Sequence, residues 1–292
     1  DYFAPEERSV AFSIFSMGPI IGGFVGLAAG GWVAQEYGWR WAFWVMGLPG
    51  IALALLLYTT VREPVRGALD SVTSAQQDGF LATVLLLLRN RLWLWVTLGQ
   101  TFAIFVGYGF SSWKPSLYLR QFDLSQAEVG SLLGLMGLVA GVPSLLIGGF
   151  IGDRLIAKSL KLAIRCVGYA ALLVIPFYAQ ALMQNSWVVT TILLGVGLVF
   201  YSIGSGTAML IALSTLAHNQ RALAASFVLL SSSLLGLGLG PLLIGEINDA
   251  AVDSFCDDSL GFALRLCLVS FVIAFSFYWA AGNEVSRREH ET

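Results

Sequence analysis

Charge is scarce in this sequence. Of 292 residues, 12% are Asp, Glu, Lys or Arg, about half the share that soluble domains carry. With 57% hydrophobic residues and a mean hydropathy of +0.77, that deficit excludes a water-soluble enzyme. The same apolar richness excludes a disordered chain, which needs few apolar residues and many charges. A basic excess is missing too. The formal net charge is −2, so no positive field exists to hold nucleic acid. Cysteine is limited to Cys166, Cys256 and Cys267, at spacings that make neither a disulfide framework nor a metal set. Cys166 and Cys267 sit inside apolar runs, as small buried hydrophobes do. Histidine is limited to His218 and His290, with nothing around them that resembles a nucleophile. No nucleotide-binding glycine loop occurs. No cofactor, no metal, no nucleic acid and no enzymatic role is therefore expected. The chain opens Asp1-Tyr2-Phe3, without an initiator Met or a basic, signal-like start, which suggests a chain that has lost its beginning.

What is abundant is glycine, tryptophan and long apolar runs. The 32 Gly and nine Trp fit a membrane protein, where Gly lets helices approach and Trp marks interfaces. A bilayer core takes about 20 mostly apolar residues per helix. That ruler gives eight candidate spans, at 11–35, 40–61, 92–119, 127–151, 162–183, 187–216, 221–246 and 260–282. The third and sixth are long, so they tilt or break at Gly107-Tyr108-Gly109 and Gly204-Ser205-Gly206. The longest polar stretch, 62–91, is the one linker. Twelve Lys and Arg fall on the side that holds both ends and this linker, and three on the other. The bias predicts cytoplasmic termini, in a multi-pass protein of the cell or inner membrane.

The sequence also echoes itself. Arg8-Ser9-Val10-Ala11 and Arg221-Ala222-Leu223-Ala224 each precede a Gly-rich span. Internal repeats of spans mark secondary transporters, although two Gly-rich helices can look alike by chance. Between the fourth and fifth spans, Gly149-Phe150-Ile151-Gly152-Asp153-Arg154 resembles the signature loop of the major facilitator superfamily. Lys158 and Lys161 stand where that loop usually continues with Gly-Arg-Arg. Trp113-Lys114-Pro115-Ser116-Leu117-Tyr118-Leu119-Arg120, Leu124-Ser125, Glu128-Val129-Gly130, Gly236-Leu237-Gly238-Leu239-Gly240-Pro241 and Asp257-Asp258-Ser259-Leu260 look like the spinster-like branch.

The resemblance implies an all-α membrane protein with eight of an expected twelve transmembrane helices, matching helices five to twelve. Residues 1–61 would be the last two helices of the amino-terminal half. The cytoplasmic linker 62–91, the carboxyl-terminal six-helix half 92–283 and a cytoplasmic tail 284–292 would follow. Four helices would lie upstream, in the same chain or a separate one. The function implied is secondary active transport by alternating access, proton- or gradient-coupled, of a small organic or lipid-like solute. The alternative is a membrane-embedded binding or assembly fragment with no transport of its own.

By the same likeness Gly149, Gly152, Asp153, Arg154 and Arg221 form a cytoplasmic gate, where the helix dipole favours the Asp153 carboxylate. An ordinary solvated turn of charges is the other reading. Gln100, Phe105, Tyr108, Trp113, Lys114 and Tyr201 are candidate substrate contacts. The aromatics among them equally suit core packing or an interfacial belt, and Lys114 and Arg120 can snorkel to water. Gly18, Gly22, Gly26 and Gly30 line one helix face for close packing. Arg265, inside the last span, needs a partner, and Asp257 or Asp258 is in reach. Glu36 and Arg40 are spaced as an i,i+4 pair. Glu246 puts a carboxylate at the outer end of the seventh span.

Overall fold

A backbone crossing hydrocarbon must satisfy its own N–H and C=O groups, so long apolar runs become helices. The computed structural model describes residues 8–61, 80–255 and 258–291. Within them run α1 (Arg8–Tyr37), α2 (Trp39–Thr60), α3 (Phe80–Arg89), α4 (Arg91–Gln121), α5 (Gln126–Met136) and α6 (Val142–Lys158). They are followed by α7 (Leu160–Ala181), α8 (Trp187–Ser214), α9 (His218–Ser231), α10 (Gly240–Phe255), α11 (Ser259–Cys267) and α12 (Val269–Glu291). Two π-helical segments, Gly137–Gly141 and Ser232–Leu239, join α5 to α6 and α9 to α10. Among the described residues, seven helical stretches are long and apolar enough to cross a bilayer: Trp39–Thr60, Arg91–Gln121, Gln126–Lys158, Leu160–Ala181, Trp187–Ser214, Gln220–Phe255 and Ser259–Arg288. The 30-residue α1 covers the first expected span. The all-helical membrane fold is as expected.

Several local expectations are corrected. Neither α4 nor α8 breaks at its glycines; both run unbroken. The irregular turns fall instead two residues before Pro143 and Pro241. A proline has no N–H for the carbonyl four residues back, and its ring crowds that carbonyl. Widening to a π turn relieves both. The Gly149–Arg154 sequence is not a loop, because α6 continues to Lys158 and the chain turns at Ser159. The Ser159 side chain then caps α7 by accepting from the Leu162 N–H at 3.3 Å. The expected linker ends in the helix α3, and the expected tail prolongs α12. Residues 62–79, Cys256, Asp257 and the side chains of Arg8, His218 and His290 lie outside the described residues.

The chain divides into two compact units, Asp1–Gln76 with Asp123–Val139, and Gln77–Phe122 with Ala140–Thr292. In the first, α1 packs on α2 and α5. Gly38, at φ 88°, turns the chain between α1 and α2. That turn separates Glu36 from Arg40, so they do not share a helix; the Arg40 guanidinium lies 4.4 Å above the Trp39 ring instead. Ser125 and Glu128 form a capping box at the start of α5, with bonds of 2.8 and 3.3 Å. This box accounts physically for the Ser125 and Glu128 spacing. The α1–α5 seam is a close backbone approach. A Cβ on Gly130 would stand 2.2 Å from the Leu27 carbonyl oxygen, and one on Gly31 2.7 Å from that of Gln126. The expected stripe Gly18, Gly22, Gly26 and Gly30 meets nothing within 4 Å among the described residues. Leu27 and Gly31, a step further round the helix, make the contact.

In the second unit α4 packs on α8, α10 and α12, α7 packs on α8 and α12, and α6 packs on α8. Its fully buried side chains include Val96, Val106, Phe110, Ile164, Leu194 and Phe271. Lipid tails are as apolar as these residues, so close van der Waals fit and internal hydrogen bonds hold such helices together.

Candidate functional site

The second unit holds a buried polar node where α4, α8 and α12 meet. Gln100 is 4% exposed. Its Nε2 donates to Ser205 Oγ at 3.0 Å and to the Ser205 carbonyl at 3.4 Å, while Tyr278 Oη donates to Gln100 Oε1 at 3.2 Å. An amide in this setting needs both ends occupied, because an unpaired buried polar group costs about 1–3 kcal/mol. Both ends of Gln100 are engaged. Beside the node lies a cavity of about 10 Å³ between Ala103, Tyr201, Ser205, Phe271 and Tyr278, about the room of one water. No solute enters there.

Tyrosine rings reach this interior through glycine notches. The Cβ that Gly107 lacks would stand 2.2 Å from Tyr201 Oη, that of Gly99 would stand 2.9 Å from the Tyr278 ring, and that of Gly197 would stand 2.4 Å from Tyr178. Gly107 thus serves as a socket rather than a hinge. Tyr178, Tyr278, Gly99 and Gly197 were not singled out from the sequence, and Gly107 was read as a bend. Each glycine and its tyrosine lie on different helices, and no local spacing signals the pairing.

The six expected substrate contacts therefore separate. Gln100 and Tyr201 turn into the unit's interior. Phe105 presents its carbonyl to Gly240, whose missing Cβ would stand 2.8 Å away. Trp113 Nε1 donates to the Pro241 carbonyl at 2.9 Å, tying α4 to the turn just past the second π segment. Tyr108 is exposed and lies against Gly236. Lys114 is half-buried, with no hydrogen-bond or ion-pair partner among the described residues.

The residues expected to form a gate sit on α6 and α9. Gly148 and Gly152 let α6 press on α8; their missing Cβ atoms would stand 2.7 Å from Ile203 Cα and 2.9 Å from Thr207 Oγ1. Thr207 Oγ1 donates to the Gly148 carbonyl at 3.1 Å. Gly149, singled out from the sequence, faces open space. Asp153 is exposed. Arg154 lies 4.0 Å above the Phe150 ring, and Arg221 Nε donates to the Leu216 carbonyl at 3.2 Å. No ion pair joins these three among the described residues. Arg265 pairs with Asp258, while Asp257 lies outside the described residues. Glu246 is exposed.

Comparison with known proteins follows the same lines. The sequence profile of the Major Facilitator Superfamily matches residues 1–241. An MFS-type efflux pump of Mycolicibacterium smegmatis is 28% identical over 98% of this chain and 66% of its own length. Human protein spinster homolog 1 is 29% identical over 91% of this chain and 55% of its own length. The chain thus spans between about half and two thirds of these relatives. Two crystal structures of a bacterial homolog to the human lysosomal transporter spinster share the fold at 24% identity over 97% of this chain. The inward-facing unoccupied form, 72% covered, gives a TM-score of 0.86, and the inward-facing occupied form, 71% covered, gives 0.78. This multi-pass membrane chain belongs to the Major Facilitator Superfamily, a family of transporters and not of enzymes, in its spinster-like branch.

Proposed function

We propose that this chain works in a secondary active transporter that alternates access across the membrane. A proton or other gradient drives it, and it carries a small organic or lipid-like solute. The observation that carries the reading is the superfamily match over residues 1–241. Relatives named as an efflux pump and as spinster proteins support transport of a solute, and the aromatic side chains of α4 suit one with an apolar part. Twelve Lys and Arg on the side of the linker and both chain ends support a cytoplasmic placement for that side.

Gly149, Gly152, Asp153, Arg154 and Arg221 are the gate in this reading. Asp153 engages its cationic partners when the cytoplasmic side closes and releases them when it opens. Its lack of an ion pair among the described residues suits the open state. Phe105, Tyr108, Trp113 and Lys114 on α4 supply the solute wall, with Tyr108 the accessible ring and Lys114 the free cation. Gln100 and Tyr201 support that wall from behind. Proteoliposomes of the complete transporter, given a radiolabelled acyl-glycerophosphate, a sugar and a small carboxylate in turn, should accumulate one of them when a proton gradient is imposed. Asp153→Asn should remove the gradient-driven part. Leakage independent of any gradient and unaffected by Asp153→Asn would count against the proposal.

One observation favours the alternative, a membrane-embedded assembly fragment. No residue of α2 is buried, so its apolar surface from Trp39 to Tyr58 is free for lipid or for the four upstream helices. Solute uptake by the 292-residue chain alone would overturn that alternative.

A further inference from the structure

Arginines stand on both sides of the corner between α3 and α4. Arg89 ends α3 and Arg91 opens α4. Both are exposed, and neither has a hydrogen-bond or ion-pair partner among the described residues. Between them, Asn90 accepts from the Trp93 N–H at 3.4 Å and from Arg288 Nη2 at 3.2 Å. The corner is thus held to α4 and to the end of α12.

The two arginines border a cleft of about 630 Å³, walled by Leu88, Leu94 and Trp95, with Glu284 at its edge. The Glu284 carboxylate is already met by Arg287 at 3.2 Å and Arg288 at 3.4 Å. Its charge is answered, and the cleft stays positive. Trp95 stacks on Phe277 at 5.7 Å, which fixes an interfacial type of side chain in the wall.

The remaining observation is α3 itself. Thr83 and Leu87 face the protein and are buried, while Leu81, Leu85 and Leu88 form the opposite face, each more than half exposed. A ten-residue helix with an outward leucine face and an arginine at its end has the chemistry of a helix lying in a membrane surface. Cationic clusters beside a transmembrane helix recognise anionic headgroups.

We infer that the Arg89–Arg91 corner binds an anionic phospholipid, its phosphate between the two guanidinium groups and an acyl chain along Leu88, Leu94 and Trp95. The apolar wall and the leucine face select a lipid over a soluble acidic partner. The inference rests on the membrane fold and not on transport. Its leaflet is the one on the linker side, cytoplasmic in the orientation proposed above.

The test uses the 292-residue chain, purified and offered phosphatidylglycerol or phosphatidylcholine, with retained lipid read by native mass spectrometry. Phosphatidylglycerol should be retained preferentially. Arg89→Gln with Arg91→Gln should weaken that retention about ten-fold or more, from about 1 kcal/mol per cation at an anionic surface. Arg89→Lys with Arg91→Lys should keep most of it, and Lys158→Gln should change nothing. A readout that needs no arginine variant is fluorescence quenching by brominated phosphatidylglycerol, taken as the difference between wild type and Trp95→Phe. That difference should exceed the one given by brominated phosphatidylcholine. Equal retention of both lipids, equal quenching by both, or full displacement by glycerol phosphate lacking acyl chains would each overturn the proposal. Bound phosphatidylglycerol together with no solute uptake by the complete transporter would fail the transport reading alone.

Discussion

At the scale of single residues, the second unit is organised by where side chains are missing. Tyr201 reaches α4 because Gly107 has no Cβ to stand 2.2 Å from its hydroxyl. Gly107→Ala should therefore lower stability by about 1–3 kcal/mol, the usual penalty for overpacking, seen as a fall in the thermal midpoint of the purified chain. Tyr201→Leu in the same background should recover part of the loss, which an effect on backbone propensity alone would not allow. Gln100 shows how a polar residue in an apolar span is visible in the sequence while its partners are not. A glutamine inside an apolar span signals a polar requirement. Its partners Ser205 and Tyr278, 105 and 178 residues away, are set by the packing of three helices.

At the scale of elements, glycine spacing alone did not tell which face of α1 meets a partner. The stripe from Gly18 to Gly30 repeats every four residues, yet the backbone approach is made at Leu27 and Gly31. Gly130→Ala should disturb the α1–α5 seam, again by about 1–3 kcal/mol, whereas Gly26→Ala should leave the thermal midpoint unchanged or raise it slightly, since Ala favours helix. Equal effects would show that the seam is not where the backbones meet. Two prolines mark the π turns, while Pro49, Pro115 and Pro176 sit inside helices that run on regularly. Pro143 and Pro241 each follow a π segment because a missing N–H cannot be supplied from elsewhere on the same helix, while Gly107 and Gly204 are accommodated by neighbours.

At the scale of the whole molecule, length, hydropathy and the Gly-x-x-Gly-Asp-Arg sequence made the membrane fold and the superfamily legible. The proposed orientation is checked by thiol labelling in intact cells, with the three native cysteines replaced. Asn185→Cys should react from outside, and Lys158→Cys only after permeabilisation. The reverse pattern would invert the orientation, and with it the leaflet assigned to the Arg89–Arg91 corner.

The sequence by itself determined the apolar runs, the polar turns between them, the imbalance of Lys and Arg, and the family signature. Each is a property of residues near one another along the chain, and the bilayer converts apolar length directly into a helix. Tertiary structure alone decided that Gln100 is engaged on both sides, that tyrosines sit in glycine sockets, that Arg265 takes Asp258, and that Arg89 and Arg91 border a cleft. Those outcomes depend on which helix faces meet. In an apolar solvent, close fit settles that choice, and hydropathy does not.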